Sequence, residues 1–301
     1  MNTPAQKRPL WEIVFLSKSE RRLRAGWRLL LQTITLGVFL CVVAFPVLWF
    51  GPGKSQTWLM LFSTLAECFA ITVSIIYARR FLDRRTFVSL GLAPGKQAVW
   101  DVAAGLGISF VVMALILLIG TEQNWITFAG FAWQTDGLPL ATQQTVIWLI
   151  IFVIVGWQEE LLSRGYQLQN ISDGINLLWG VLISSFIFGG LHLFNPGATW
   201  VSTLGIFLAG LFLALGYVLT RQLWLSLGLH IGWNLFEGTV FGFPVSGLNP
   251  YALLHIRVSG PVLWTGGEFG PEAGLVVLPA LLIGAILVYL YSKNIRREKH
   301  D

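Results

Sequence analysis

The chain has 301 residues and a formal charge of +5, and is 55% hydrophobic with only 12% of its residues charged. A soluble domain is about one quarter charged, so the composition excludes an ordinary soluble globular protein. The basic residues gather at the ends of apolar runs and form no stripe, which argues against nucleic acid as a partner and for contact with lipid headgroups.

Residues 1–27 are expected to form a cytoplasmic segment. Within it Trp11, Ile13, Val14, Phe15 and Leu16, among Lys18, Arg21, Arg22 and Arg24, suit an amphipathic helix lying on the membrane surface. The apolar run that follows is too long for a signal-peptide core, and no small-x-small cleavage site comes after it, so it reads as a retained first span.

Apolar runs of about 20 residues, enough to cross a bilayer, recur along the chain. Run length and flanking breakers predict eight spans, at 28–50, 57–79, 98–120, 144–167, 175–194, 199–220, 223–241 and 273–292. Gly51-Pro52-Gly53 parts the first two, and Arg79-Arg80 and Arg84-Arg85 close the second. Asn195-Pro196-Gly197 parts the fifth from the sixth, and Arg221 the sixth from the seventh. The segment 121–143, with Trp125, Trp133 and Pro139, reads as an interfacial loop, and the Gly- and Pro-rich 242–272 as a second loop, re-entrant in part.

The expected fold is an all-α polytopic membrane protein of about eight transmembrane helices enclosing a polar cavity. A single transmembrane domain is expected over 28–292, with a basic cytoplasmic tail at 293–301. An even number of spans puts both termini on one side, and every Lys and Arg except Lys54 and Arg257 then falls on that side. By the positive-inside rule that side is the cytoplasm. The compact chain and sparse loops point to a prokaryotic plasma membrane, with the endoplasmic reticulum as the alternative. Cys41 and Cys68 lie within apolar runs and make neither a disulfide framework nor a metal-type spacing.

Ionisable residues inside a bilayer are costly and mark functional sites. Three signatures place them there: Glu159-Glu160-x-x-x-Arg164, Phe188-x-x-x-His192 and His230-x-x-x-Asn234. Residues four apart on a helix share a face, while neighbours point about 100° apart. Glu160 and Arg164 can therefore pair. Glu159 points elsewhere, free to hold and deprotonate a water. Phe188 falls one turn before His192 and can pack beside its imidazole, which titrates near neutrality and can share a water proton or bind a metal. His230 and Asn234 can donate hydrogen bonds toward one point, the device that stabilises a developing oxyanion.

Each pair has a plainer reading. The Glu159 group would be solvated at a span end, His192 interfacial, and the His230 pair an interhelical tie. Three polar pairs at helical spacing on neighbouring spans, with complementary chemistry, favour one hydrolytic site instead. Glu67 and Glu237 are candidates to line the same cavity. Asp101 reads as a helix N-terminal charge, and His255 and His300 as surface residues.

Together Glu159-Glu160-Leu161-Leu162-Ser163-Arg164, Phe188-Gly189-Gly190-Leu191-His192 and His230-Ile231-Gly232-Trp233-Asn234 resemble the successive motifs of the CPBP intramembrane proteases. That family includes the Ras-converting type of CAAX prenyl endopeptidase and bacteriocin-processing relatives. Leu90-Gly91-Leu92 before the third span is similar to bacterial members. The resemblance implies an eight-helix membrane fold with a cavity open to the cytoplasm. It also implies that Glu159 and His192 activate water, that His230 and Asn234 stabilise the oxyanion, and that Glu160 and Arg164 support the geometry.

The expected function is thus an intramembrane endopeptidase, a glutamate protease acting on a membrane-associated peptide or protein, prenylated or precursor. No cofactor is expected, because the His-Glu-x-x-His metal pattern is absent. The rivals are a zinc enzyme built on Glu159, His192 and His230, a non-catalytic partner or immunity protein, and a proton-coupled transporter. Transport predicts inverted repeats, and none is visible in the sequence.

The predicted spans carry one conflict. If the fourth ended near Arg164, Glu159 would lie at the cytoplasmic face and His192 near the opposite one, about 30 Å away. A shared site requires either that the fourth span run on, toward Asn170, lifting Glu159 to mid-depth, or that the fifth start late or be broken; the first is expected.

Overall fold

The chain is seen in a computed structural model that describes residues 9–17, 20, 22–50 and 53–298. Among the described residues seven helices are long and apolar enough to cross a membrane. They are α1 (Ala25–Phe50), α2 (Gln56–Tyr77, continued by a π turn at Ala78–Leu82), α3 (Lys96–Glu122), α4 (Leu138–Gly174), α5 (Leu177–Leu191, with a 3-10 turn at His192–Phe194), α6 (Trp200–Thr220) and α8 (Val277–Glu298). Between α6 and α8 lies α7 (Trp224–Asn234, with a π turn at Leu235–Val240).

The chain is thus an all-α polytopic membrane protein. The predicted seventh span is a shorter helix than the rest. Nearly all of α7 is buried, because it runs through the centre of the bundle and the lipid-exposed surface belongs to the other helices.

Glycines let α7 enter. A side chain at Gly105 of α3 would meet the Leu229 backbone nitrogen at 2.5 Å, and one at Gly228 of α7 would meet the Val102 carbonyl at 2.4 Å. Small residues on both helices thus allow backbone-to-backbone contact, the usual way helices pack where lipid offers no hydrophobic drive. Ser109 Oγ seals the contact by donating to the Leu229 carbonyl at 2.7 Å.

The fourth span runs unbroken from Leu138 to Gly174, with a π turn over Leu161–Gln167. It starts earlier than predicted and continues well past Arg164, as expected for a shared site. The loop reading of 121–143 needs correction. It contains β1 (Ile126–Phe131), which pairs antiparallel with β2 (Leu254–Val258) across a bulge between Phe128 and Gly130. This ribbon joins the two long connections on one end of the bundle.

Two further readings change. Asp101 sits in the second turn of α3 and is buried, accepting from Tyr291 of α8 at 2.9 Å and from Gln97 at 2.8 Å. It ties helices together and does not cap one. Several basic residues expected at headgroups are also internal. Asp83 accepts from Arg28 at 2.7 Å and Arg79 at 2.8 Å, with all three buried, and Arg22 pairs with Asp173 at 3.0 Å. A buried guanidinium needs such partners.

In the leader, Leu10–Phe15 is a helix whose Phe15 stacks on Trp27 at 5.0 Å, so it is anchored to the start of α1. Lys18, Arg21, Gly51, Pro52, His300 and the end of the basic tail lie outside the described residues.

Candidate active site

Glu159 and Glu160 lie at the end of the regular part of α4, immediately before its π turn. Such turns insert an extra residue into a helix and recur at functional sites. Here the turn buries Arg164 one step beyond the carboxylates. Arg164 Nη1 donates to Glu160 Oε1 at 3.0 Å, as the spacing predicts, and Nη2 donates to the Gly210 carbonyl of α6 at 2.8 Å. Its guanidinium also stacks on Phe188, 4.4 Å from the ring centre. Both ion-pair partners are fully buried.

Glu160 Oε1 takes a second hydrogen bond, from His230 Nδ1 at 2.9 Å. His192 Nδ1 meets the Phe188 carbonyl at 2.8 Å. A carbonyl and an arginine-bound carboxylate only accept, so each Nδ1 must carry a proton and donate. The Nε2 atoms of both rings are left facing Glu159. Glu159 Oε2 stands 3.9 Å from His192 Nε2 and 3.8 Å from His230 Nε2, and has no hydrogen-bond partner. These separations exceed a direct hydrogen bond and suit one water oxygen between carboxylate and imidazole. Phe188 packs against both rings, at 4.8 Å from His192 and 5.9 Å from His230.

A cavity of about 420 Å³ opens onto this cluster, and Glu159, Phe188, His192, His230 and Asn234 line it. Asn234 lies one turn beyond His230, buried at the cavity wall. Glu160 and Arg164 stand behind the wall. The seven residues of the three signatures therefore meet in one place. Glu67 also lines the cavity and accepts from Gln158 at 3.3 Å. Glu237 is buried but is not among the lining residues, so its expected place is corrected.

The sequence reading missed two residues in the wall. Glu272, from the loop before α8, accepts from Trp233 Nε1 at 3.0 Å and from the Ser246 amide and hydroxyl at 2.8 and 2.6 Å. Both Ser246 and Glu272 line the cavity. Their only sequence signal was an acid beside Gly270-Pro271 in a loop read as partly re-entrant.

For zinc, three protein ligands must converge within about 2.0–2.2 Å of one point. Among the described residues no set of three His, Cys, Asp or Glu side chains is so arranged. Glu159, His192 and His230 as they stand do not make such a set.

Residues 141–236, about a third of the chain, match the family model described as type II CAAX prenyl endopeptidase, Rce1-like. No curated protein matches the chain. The matched segment contains every residue of the three motifs, from Glu159 to Asn234, on the helices whose meeting forms the cavity. This match supports the CPBP family of intramembrane, CAAX-type proteases, which the chain resembles over these residues.

Proposed function

We propose that the protein is an intramembrane endopeptidase that hydrolyses a peptide bond of a membrane-associated peptide or protein, using Glu159 as general base. The observation that carries this reading is the position of Glu159 Oε2, unpartnered and just under 4 Å from two imidazole nitrogens. A water held there is hydrogen bonded by carboxylate and imidazole together. Glu159 takes its proton, the oxygen attacks the scissile carbonyl, and the proton passes to the leaving nitrogen. A positioned base of this kind contributes ~10²–10⁴-fold.

Asn234 and His230 face the developing oxyanion. With Nδ1–H given to Glu160, His230 can donate from Nε2 only as an imidazolium, held between the Glu159 and Glu160 carboxylates. One such donor is worth ~10²–10³-fold in a dry site. Glu160 and Arg164 keep His230 in place, and Phe188 fixes the planes of both rings.

The domain plan follows the sequence reading: a cytoplasmic segment at 1–27, a protease domain at 28–292 and a basic tail at 293–301. The lopsided placement of Lys and Arg supports cytoplasmic termini, and the sparse loops favour a prokaryotic plasma membrane.

The test is cleavage of a membrane-presented peptide library by purified protein in lipid, comparing wild type with Glu159→Gln and His192→Ala, with and without chelator. Products from wild type only, indifferent to chelator, are expected. Loss with chelator and rescue by zinc would establish a metalloenzyme. Binding of a peptide that survives Glu159→Gln, with no cleavage by any form, would establish a non-catalytic partner.

A further inference from the structure

From the loop side, Ser246 connects the two halves of the cavity wall. Its carbonyl accepts from Asn195 Nδ2 at 2.9 Å, and Asn195 lies three residues beyond His192. Its amide and hydroxyl both donate to Glu272 Oε2, while Glu272 Oε1 accepts from Trp233, which sits between His230 and Asn234 on α7. A chain of hydrogen bonds thus runs from the end of the His192 helix, through Ser246 and Glu272, to the helix that carries His230.

Two features show that this chain is built under constraint. Ser246 adopts φ +46°, a left-handed conformation that serine seldom takes. Such a conformation persists only where its surroundings over-determine it. The turn around it is also wedged. A side chain at Gly247 would lie 2.0 Å from the Pro196 carbonyl, and one at Gly205 of α6 would lie 1.8 Å from the Glu272 carbonyl. Glu272 itself is 4% exposed. A buried carboxylate that accepts three hydrogen bonds is costly to remove and strict about geometry.

We propose that Glu272 is a positioning residue of the active site. Through Ser246 it clasps the 242–250 turn over the cavity, and it fixes the spacing between His192 and His230. This inference rests on the peptidase reading for its kinetic consequence, while the clasp itself can be tested without catalysis.

Glu272→Gln keeps the shape but turns a donor toward the Ser246 amide. Ser246→Ala and Trp233→Phe each remove one donor and bury no new polar group. In each variant kcat is expected to fall with KM little changed, by up to ~10²-fold for Glu272→Gln, since a displacement of about 1 Å at a reacting centre costs that much. The double variant Glu272→Gln/Ser246→Ala should lose less than the product of the single losses, because the two act through one contact. Hydrogen exchange at the Ser246 amide should quicken in Glu272→Gln.

A merely structural role would lower the melting temperature and leave kcat per folded molecule at the wild-type value, and that result overturns the proposal. So does wild-type kcat in both Ser246→Ala and Trp233→Phe, should Glu272→Gln fail to fold. A wild type that cleaves nothing sinks the peptidase reading alone. Unchanged exchange at Ser246 in Glu272→Gln sinks the clasp alone.

Discussion

Glu160 and His230 are hydrogen bonded at 2.9 Å, and the Glu160 oxygen that takes this bond also takes Arg164 at 3.0 Å. One carboxylate oxygen thereby links α4 to α7 and assigns the imidazole its proton. The adjacent carboxylate, Glu159, is left with an unpartnered oxygen aimed at the other side of the same ring. Two neighbouring glutamates thus have opposite surroundings: Glu160 is held by two partners, and Glu159 keeps the unpartnered oxygen that the proposed general base needs.

The holding role predicts a stability effect. Arg164→Ala leaves Glu160 fully buried with His230 as its remaining partner, and removing one member of a buried pair costs ~3–5 kcal/mol. Thermal unfolding in detergent or lipid should show a large drop. Arg164→Lys should restore only part of it, because a lysine cannot bond Glu160 and the Gly210 carbonyl at once as the guanidinium does.

The reacting role proposed for Glu159 predicts the reverse. Glu159→Gln should cut cleavage by ~10²–10⁴-fold with little change in melting temperature, because Glu159 Oε2 makes no hydrogen bond that the substitution could break. A variant that unfolds early, or that retains most of its activity, would contradict the assignment.

The paired glycines before His192 should respond differently. A methyl at Gly189 would lie 2.9 Å from the Thr203 carbonyl and 3.1 Å from the Phe207 nitrogen, both backbone atoms of α6, whereas a methyl at Gly190 meets nothing within 4 Å. Gly189→Ala must push α5 from α6 and carry His192 with it. It should cost ~1–3 kcal/mol and lower kcat. Gly190→Ala should leave both close to wild type. Equal behaviour of the two variants would refute this packing.

Far from the cavity, Asp83→Ala leaves Arg28 and Arg79 buried without their shared carboxylate. The loss should again be ~3–5 kcal/mol, read from thermal unfolding, with cleavage per folded molecule unchanged. A neutral result would mean that these arginines reach solvent or headgroups, as the sequence alone suggests.

Much of this protein could be read from its sequence. Run length and composition determine the membrane class, since about 20 apolar residues in a row have few other uses. Helical spacing determines the Glu160–Arg164 pair and the faces of Phe188/His192 and His230/Asn234, because four residues make about one turn. The requirement that Glu159 meet His192 leaves two ways out, and the one expected, a long fourth helix, is the one the structure has.

The tertiary structure decided the rest. The Glu160–His230 bond joins residues seventy positions apart, and no local periodicity contains it. That α7 is central follows from close backbone approach at Gly105 and Gly228, which only the packed bundle shows. Arg28, Arg79 and Asp101 look like span-end charges in the sequence and are internal ties in the structure, because the charge of a residue does not say which neighbour folding will bring to it. Glu272 lies in a loop with no helical pattern to give it a face. Its place in the cavity wall exists only because the 242–272 segment folds back onto α7.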